Sequence, residues 1–234
     1  MKNLLLFIVF GYIKPYSLYM IAFSYKRLID YILLPFFSGS LFFLLLLLPL
    51  VYYSSAPSFY THYMDQQWLV VSDISFGYVQ NIYMFIQGRD SLDQHFPLAE
   101  KSHMEDVKKL FGLTYLVGII AGGVFLSILL VFVFQKRFRH IVRWLFRGSL
   151  ASLLLSFLLI LALSIDFTAT FNLFHGVFFP QGNWSFDASS MLISLFPEGF
   201  FDAIATRIFL LSVSISLVVL CCSVVSKRFW GMKK

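Results

Sequence analysis

Charged side chains are scarce in this sequence. Asp, Glu, Lys and Arg make up 13% of the 234 residues, whereas soluble domains carry about 25%. Hydrophobic residues reach 59%, which excludes an ordinary soluble domain and indicates an integral membrane protein. The length leaves room for one domain with a few membrane spans rather than for two domains.

Cysteine is nearly absent, and the common catalytic signatures are missing. Cys221 and Cys222 are adjacent within an apolar run, so they predict neither a disulfide framework nor a cysteine-based metal site. The sequence contains no HExxH, GxSxG, P-loop or GxGxxG motif, and no serine stands in a nucleophile signature. Catalysis by this chain would therefore depend on histidine acid–base chemistry. We expect no cofactor and no metal.

Apolar runs of membrane-spanning length are abundant. A bilayer core of about 30 Å requires about 20 apolar residues in a helix. Four runs meet or approach this length, at residues 32–53, 113–134, 149–165 and 208–225. The sequence therefore predicts an all-α integral membrane fold, a four-transmembrane-helix bundle with two outward-facing structured loops and an interfacial amphipathic helix.

The distribution of charge predicts how the spans are oriented. Most Lys and Arg residues lie in residues 1–30, 135–148 and 226–234, which places these segments and both termini in the cytoplasm. The two remaining loops, 54–112 and 166–207, then face outward, and they contain nearly all the acidic residues and histidines. The basic residues of these cytoplasmic segments account for the net charge of +6. We therefore expect a plasma-membrane protein with no nucleic-acid partner.

Segments outside the spans complete the predicted organisation. Residues 68–88 are too polar to span the membrane and predict an amphipathic helix that lies in the outer interface. Residues 1–30 form a cytoplasmic or interfacial N-terminal segment, in which Met20 is an alternative start. Residues 31–230 form a single four-span domain, and residues 231–234 form a basic cytoplasmic tail.

The first candidate site precedes the second span. If this segment is helical, Glu100, His103 and Asp106 share a face, because residues three and four apart on a helix are neighbours. A carboxylate one turn from His103 would fix its tautomer and raise its basicity. A solvated helix start with acidic residues near its N-terminus explains the same pattern without any catalytic function.

The second candidate site follows the third span. Asp166 and His175 lie in an aromatic segment, residues 180–183 predict a turn, and Asp187 stands near the N-cap of a predicted short helix. A lone histidine among phenylalanines is more often packed than catalytic. Two histidines with acidic neighbours at the membrane boundary are nevertheless functional candidates. A metal site built from the four outer histidines is less favoured, because no pair has helical ligand spacing.

These two segments resemble a known family. The pattern E-x-x-H-M-x-D-V-K from Glu100, and the pattern D-F-x-x-x-F-x-x-F-H-x-x-F-F from Asp166, are similar to the lipoprotein intramolecular transacylases (Lit) of Gram-positive bacteria. The resemblance implies an acyltransferase whose catalytic residues are His103 and His175. It also implies the reaction, in which the sn-2 acyl chain of an S-diacylglyceryl-cysteine lipoprotein moves to its own α-amine. The product is the lyso-form lipoprotein, which is N-acylated and S-monoacylglycerylated.

The residues suit this implied chemistry. Because nucleophile and ester belong to one molecule, tethering can supply up to about 7–11 kcal/mol. The α-ammonium has a pKa of about 8, so a histidine is a suitable base, and a histidine can also protonate the leaving glyceryl oxygen. Which histidine takes which role remains open, and histidine NH, Asn172, Asn183 or backbone NH groups could hold the oxyanion. Orienting, ammonium-binding or rim-anchoring roles are predicted for Glu100, Asp106, Asp166, Asn172, Trp184 and Asp187.

Partners and alternatives follow from the same observations. The expected partners are a diacylglyceryl lipoprotein in the outer leaflet and membrane lipid, and we expect a monomer. A lipid hydrolase or an intermolecular acyltransferase with the same histidine pair would differ in its product. A non-enzymatic membrane accessory subunit is the third alternative, but the spans contain few polar residues to line a solute pathway. Gly118, Gly122 and Gly123 are predicted to be helix-packing positions.

Overall fold

The described part of the chain is helical throughout. The structure is a computed structural model that describes residues 15–66 and 73–229, and within these ranges it contains no β-strand. The helices are α1 (Pro15–Ser54), α2 (Pro57–Gln66), α3 (Asp73–Ile86), α4 (Leu98–Phe134), α5 (Phe138–Ile165), α6 (Phe167–Phe178), α7 (Met191–Leu195) and α8 (Glu198–Phe229). The predicted all-α fold is confirmed.

Four helices are long and apolar enough to cross a membrane, which confirms the predicted spans. They are the Tyr31–Tyr53 part of α1 and the helices α4, α5 and α8. All four begin well before the apolar runs; α4, for instance, begins at Leu98 and α8 at Glu198. Hydropathy marks only the lipid-facing part of a helix, whereas backbone hydrogen bonding continues into the polar residues beyond it. The first candidate site therefore lies on the same rigid helix as the second span.

Helix α1 is central in the bundle. It packs against α4, α5 and α8, and α5 and α8 form the most extensive helix pair. Residues 15–30 belong to the same continuous helix as the first span. The preceding residues 1–14 lie outside the described part of the chain.

Serine pairs join α5 to α8 inside the bundle. Ser216 Oγ donates to Ser152 Oγ at 3.0 Å, and Ser156 Oγ lies 2.9 Å from Ser212 Oγ. All four side chains are fully buried. Small side chains let helix backbones approach closely in a membrane, and hydroxyl pairs add interhelical hydrogen bonds there. The α5–α8 interface is therefore specified by serine rather than by glycine.

The predicted packing role of two glycines is wrong. A Cβ atom at Gly118 or Gly123 would meet no neighbouring atom within 4 Å, and one at Gly122 would only touch Leu44 at 3.9 Å. Gly148 does allow close packing between two spans, because a Cβ there would lie 2.9 Å from the Ser38 carbonyl oxygen on α1. The sequence pattern misled here because glycine spacing alone does not show which helix face meets a neighbour.

An aromatic core covers the end of the bundle that carries the candidate site. It joins α2, α3, α7 and the first turns of α4 and α8. Its buried members, called the outer cluster below, are Phe59, Tyr60, Tyr63, Val79, Ile82, Tyr83, Phe85, Phe96, Met104, Leu192, Leu195 and Phe200. This packing holds the two outer loops as one unit on top of the spans.

The predicted amphipathic helix is present as α3. It spans Asp73–Ile86, and residues 67–72 lie outside the described part of the chain. Its Val79, Ile82 and Tyr83 side chains are buried in the outer cluster. The apolar face of α3 is therefore used for packing on the protein. A location of α3 in the membrane interface stays a prediction.

Candidate active site

His103 lies in the second turn of α4, in an aromatic enclosure. Its side chain is 8% exposed, and its ring centroid lies 4.9 Å from that of Phe179 and 5.6 Å from that of Phe186. The ring atom Nδ1 is buried and has no hydrogen-bond partner. A buried polar atom of this kind is uncommon in native proteins and calls for an explanation.

His175 lies in the last turn of α6 and has a defined tautomer. Its side chain is also 8% exposed. Its Nδ1 lies 2.9 Å from the carbonyl oxygen of Phe171, one turn earlier. A carbonyl only accepts hydrogen bonds, so Nδ1 carries the proton and the neutral ring has its lone pair on Nε2. The ring packs between Phe171, at 4.0 Å between centroids, and Trp184, at 4.9 Å.

The structure brings the two histidines together. Their ring centroids are 6.1 Å apart and the rings are inclined by 31°. Phe179 contacts both, at 4.9 Å from His103 and 5.5 Å from His175. One imidazole comes from α4 and the other from α6, so the pair depends on the fold. Aromatic walls exclude water, and polar interactions inside such a site are stronger than in solvent.

Asp106 anchors the turn that follows α6. Its Oδ2 accepts from Gln181 Nε2 at 2.8 Å and from Asn183 Nδ2 at 2.9 Å, and its Oδ1 accepts from Lys109 Nζ at 2.8 Å. The predicted turn is confirmed, and Gly182 adopts a φ of 76°, which favours glycine. The carboxylate of Asp106 is thus linked to the histidine site indirectly, through the turn that it stabilises.

Glu100 holds α7 against α4. Its side chain is 2% exposed, and it accepts from the backbone N–H of Met191 at 3.0 Å and of Leu192 at 3.1 Å. These are first-turn N–H groups of α7, which have no partner within the helix. Both carboxylate oxygens are therefore engaged in joining the two outer loops.

The remaining predicted polar residues, Asp166, Asn172 and Asp187, are exposed. Asp166 is the N-cap of α6 and accepts from the backbone N–H of Ala169 at 2.8 Å. Asp187 is expected near the N-cap of the short helix; the N-cap of α7 is Ser190, three residues later. The helix begins later than expected because the Ser190 hydroxyl is placed to accept from the first turn.

The other outer histidines do not join the pair. His62 is exposed. His95 is 63% exposed, and its Nδ1 pairs with Asp93 Oδ1 at 2.7 Å. Across residues 15–66 and 73–229, no group of three or more His, Cys, Asp or Glu side chains is arranged to hold a metal ion.

The fold and the site define a multi-pass membrane protein with a paired-histidine site in an aromatic enclosure at one end of its bundle. The family model described as "Lipoprotein intramolecular transacylase Lit" matches residues 33–201. The chain belongs to the Lit family, and it is an acyltransferase of the membrane.

Solved structures show the same fold. The in meso structure of the lipoprotein intramolecular transacylase Lit from Bacillus cereus superposes with a TM-score of 0.77 at 19% identity, covering 86% of this chain and 98% of that chain. Two structures of variants of that protein, with a histidine replaced by arginine or by alanine, have TM-scores of 0.73 at 18% identity. They cover 90% and 89% of this chain and 98% and 99% of theirs. No curated protein matches the sequence.

Proposed function

We propose that this protein transfers the sn-2 acyl chain of an S-diacylglyceryl-cysteine lipoprotein to the α-amine of the same cysteine, with His103 and His175 as the acid–base pair. The observation that carries the proposal is the pairing of two buried imidazoles, 6.1 Å apart, from two different outer loops. Family membership supports the reaction type. The existence of Bacillus cereus Lit structures with a replaced histidine supports a histidine role.

The proposed reaction needs only groups that this site offers. The amine nitrogen attacks the ester carbonyl carbon, and a histidine takes the proton that the amine gives up. The bond between the carbonyl carbon and the glyceryl oxygen then breaks, and that oxygen receives the proton. No co-reactant is consumed, so the protein has to fold the substrate back on itself and move one proton.

The surface of α6 supports a lipid ester as substrate. His175 faces the protein, whereas Leu173, Phe174, Val177 and Phe178 are 44–69% exposed on the same helix. Exposed apolar side chains in such a contiguous group mark contact with lipid or with an apolar ligand. An acyl chain in contact with this face would lie against the helix that carries His175.

The charge distribution supports an outward-facing site. The histidine pair lies at the opposite end of α4 from the basic loop that joins α4 to α5. Because basic loops stay in the cytoplasm, the proposal places the histidines at the outer membrane surface. Both termini then lie in the cytoplasm.

Mass spectrometry of an N-terminal lipopeptide tests the proposal. Cells that lack other N-acyltransferases would be compared with and without this protein. We expect a diacylglyceryl lipopeptide to become an N-acyl, S-monoacylglyceryl lipopeptide of equal total mass, with fragment ions that place one acyl chain on the amine. Release of free fatty acid would indicate a hydrolase instead. An unchanged lipopeptide in the presence of the folded protein would exclude the transferase proposal and favour an accessory subunit.

The pH dependence of the reaction should reflect the lowered pKa of the buried His175 side chain. Burial lowers its pKa below the ordinary value of 6.5, and the Phe171 carbonyl only partly opposes this shift. The imidazole therefore stays neutral, with its lone pair on Nε2, at a pH where an exposed histidine is half protonated.

We expect two breaks in a plot of log(kcat/KM) against pH. One break, at about pH 8, belongs to the substrate α-amine. Below about pH 6.5 the slope should steepen as the buried imidazole takes up a proton. The measurement is the rate of N-acyl lipopeptide formation in proteoliposomes between pH 5 and pH 9. A histidine break above 6.5 would contradict control by burial.

A further inference from the structure

The side-chain amide of Asn183 has a fixed orientation beside the histidine pair. Its Nδ2 donates to Asp106 Oδ2 at 2.9 Å and to Ser102 Oγ at 3.3 Å. A carboxylate only accepts hydrogen bonds, so the nitrogen, and not the oxygen, must face Asp106. Both amide hydrogens are therefore occupied. Asn183 cannot also donate to a developing oxyanion, which removes one of the roles considered for it.

The carbonyl oxygen of this amide is left as an acceptor inside the site. Asn183 Oδ1 is buried and has no hydrogen-bond partner, and the same is true of His103 Nδ1. The two side chains are within interaction range, since Asn183 bonds to Ser102 and Asp106 on either side of His103. When His103 carries its proton on Nδ1, this atom can donate to Asn183 Oδ1; when the proton is on Nε2, both atoms are acceptors and neither has a donor. His103 itself is more than nine-tenths buried. Burying polar atoms without partners costs free energy, so two of them side by side point to a ligand that pairs with both.

The chemistry of the two atoms defines that ligand. Asn183 Oδ1 can only accept, and His103 Nδ1 accepts when the neutral ring carries its proton on Nε2. A group that pairs with both must donate two hydrogens from one atom. Water and a primary amine both do so, but among the reacting groups of the proposed substrate only the amine does, because an ester has no donor and a hydroxyl has one.

Resting on the proposed function, we propose that Asn183 Oδ1 and His103 Nδ1 together form the binding site for the α-amine of the lipidated cysteine. One N–H of the amine points to His103 and gives up its proton as the nitrogen–carbon bond forms. The other stays on Asn183 Oδ1 and becomes the N–H of the product amide. The proton passes to the glyceryl oxygen as its bond to the carbonyl carbon breaks. Asp106 is a positioning residue, since it fixes the Asn183 amide.

An N-methylated substrate tests this site directly. Two synthetic diacylglyceryl-cysteine lipopeptides would be compared in proteoliposomes, one with a primary amine and one with a methylated amine that has a single N–H. The wild-type protein should transfer the acyl chain to the methylated amine at least about 100-fold more slowly, because a site built for a donor rejects an analogue that lacks it.

Replacement of Asn183 should relax this preference. In Asn183→Ala we expect slower transfer to the primary amine and a ratio between the two substrates below about 10. Because the ratio is measured within one preparation, a smaller folded fraction does not affect it. Gln80→Ala, which changes an exposed amide on α3, should keep the wild-type ratio. If Asn183→Ala does not accumulate, Asn183→Ser tests the same ratio.

The outcomes separate this inference from the proposed function. A wild-type ratio in the Asn183 variants would overturn the amine site while leaving the transferase intact. Equal rates for both substrates in the wild-type protein would overturn it as well. Absence of transfer to either substrate by the folded wild-type protein would contradict the proposed function itself.

Discussion

Replacing His103 or His175 by glutamine is expected to slow acyl transfer by about 10²–10⁴-fold, the usual contribution of a positioned acid or base. Glutamine keeps polarity and similar size but cannot take up a proton near neutral pH. In the variant that carries both changes, the two fold-losses in rate should not multiply, because residues that act as a unit give non-additive effects. The measurement is the rate of N-acyl lipopeptide formation, followed by mass spectrometry in proteoliposomes.

A matched control for these variants is available on the surface. His95→Gln changes a histidine that contacts a carboxylate, Asp93, and that is 63% exposed and outside the pair. It should retain wild-type activity. The three single variants, His103→Gln, His175→Gln and His95→Gln, should unfold near the wild-type temperature, since the changes leave the outer cluster intact. Full activity in both His103→Gln and His175→Gln would exclude the histidine pair from the chemistry.

Replacing Glu100 by alanine is expected to damage stability and activity together. The substitution leaves the partly buried backbone N–H of Met191 and the buried one of Leu192 without their carboxylate acceptor. Hydrogen bonds to a charged group contribute about 1.5–3 kcal/mol each to the free energy of unfolding. Loss of both should release α7 from α4 and disturb the enclosure around the histidines. Thermal unfolding in detergent, measured beside lipopeptide transfer, checks this expectation.

The Glu100 variants also separate a structural role from a catalytic one. Glu100→Gln keeps one acceptor oxygen, so its unfolding temperature should lie between those of the wild type and of Glu100→Ala. Glu105→Ala removes an exposed carboxylate from the same helix and should change neither property. If Glu100→Ala unfolded at the wild-type temperature but lost activity, the carboxylate would act on the reaction itself.

The spans could be predicted from the sequence because hydropathy is a local property. A run of apolar residues specifies a lipid-facing helix whatever surrounds it. The packing between the spans was harder to predict. Ser152 and Ser156, one turn apart on α5, meet Ser216 and Ser212 on α8. Serines at helical spacing in two apolar runs indicate this interface, whereas the glycine spacing does not.

The candidate site likewise has a part that the sequence predicts and a part that it does not. His103 and His175 were identified from their patterns, and the fold places their rings side by side. The roles of the acidic residues could not be predicted, because a carboxylate one turn from a histidine looks the same whichever way it points. Glu100 is engaged by α7, and Asp106 by a turn more than 70 residues later in the chain. Those partners exist only in three dimensions.

The exposed apolar face of α6 has a consequence for how this reaction is measured. Leu173, Phe174, Val177 and Phe178 are exposed on the helix that carries His175, and in the proposed reaction they would keep the substrate's acyl chains in contact with lipid. Enzyme and substrate then meet by lateral diffusion in one leaflet, and the relevant quantity is the substrate's mole fraction in the bilayer. Adding plain lipid vesicles that fuse with the proteoliposomes dilutes the substrate, whereas changing the buffer volume does not.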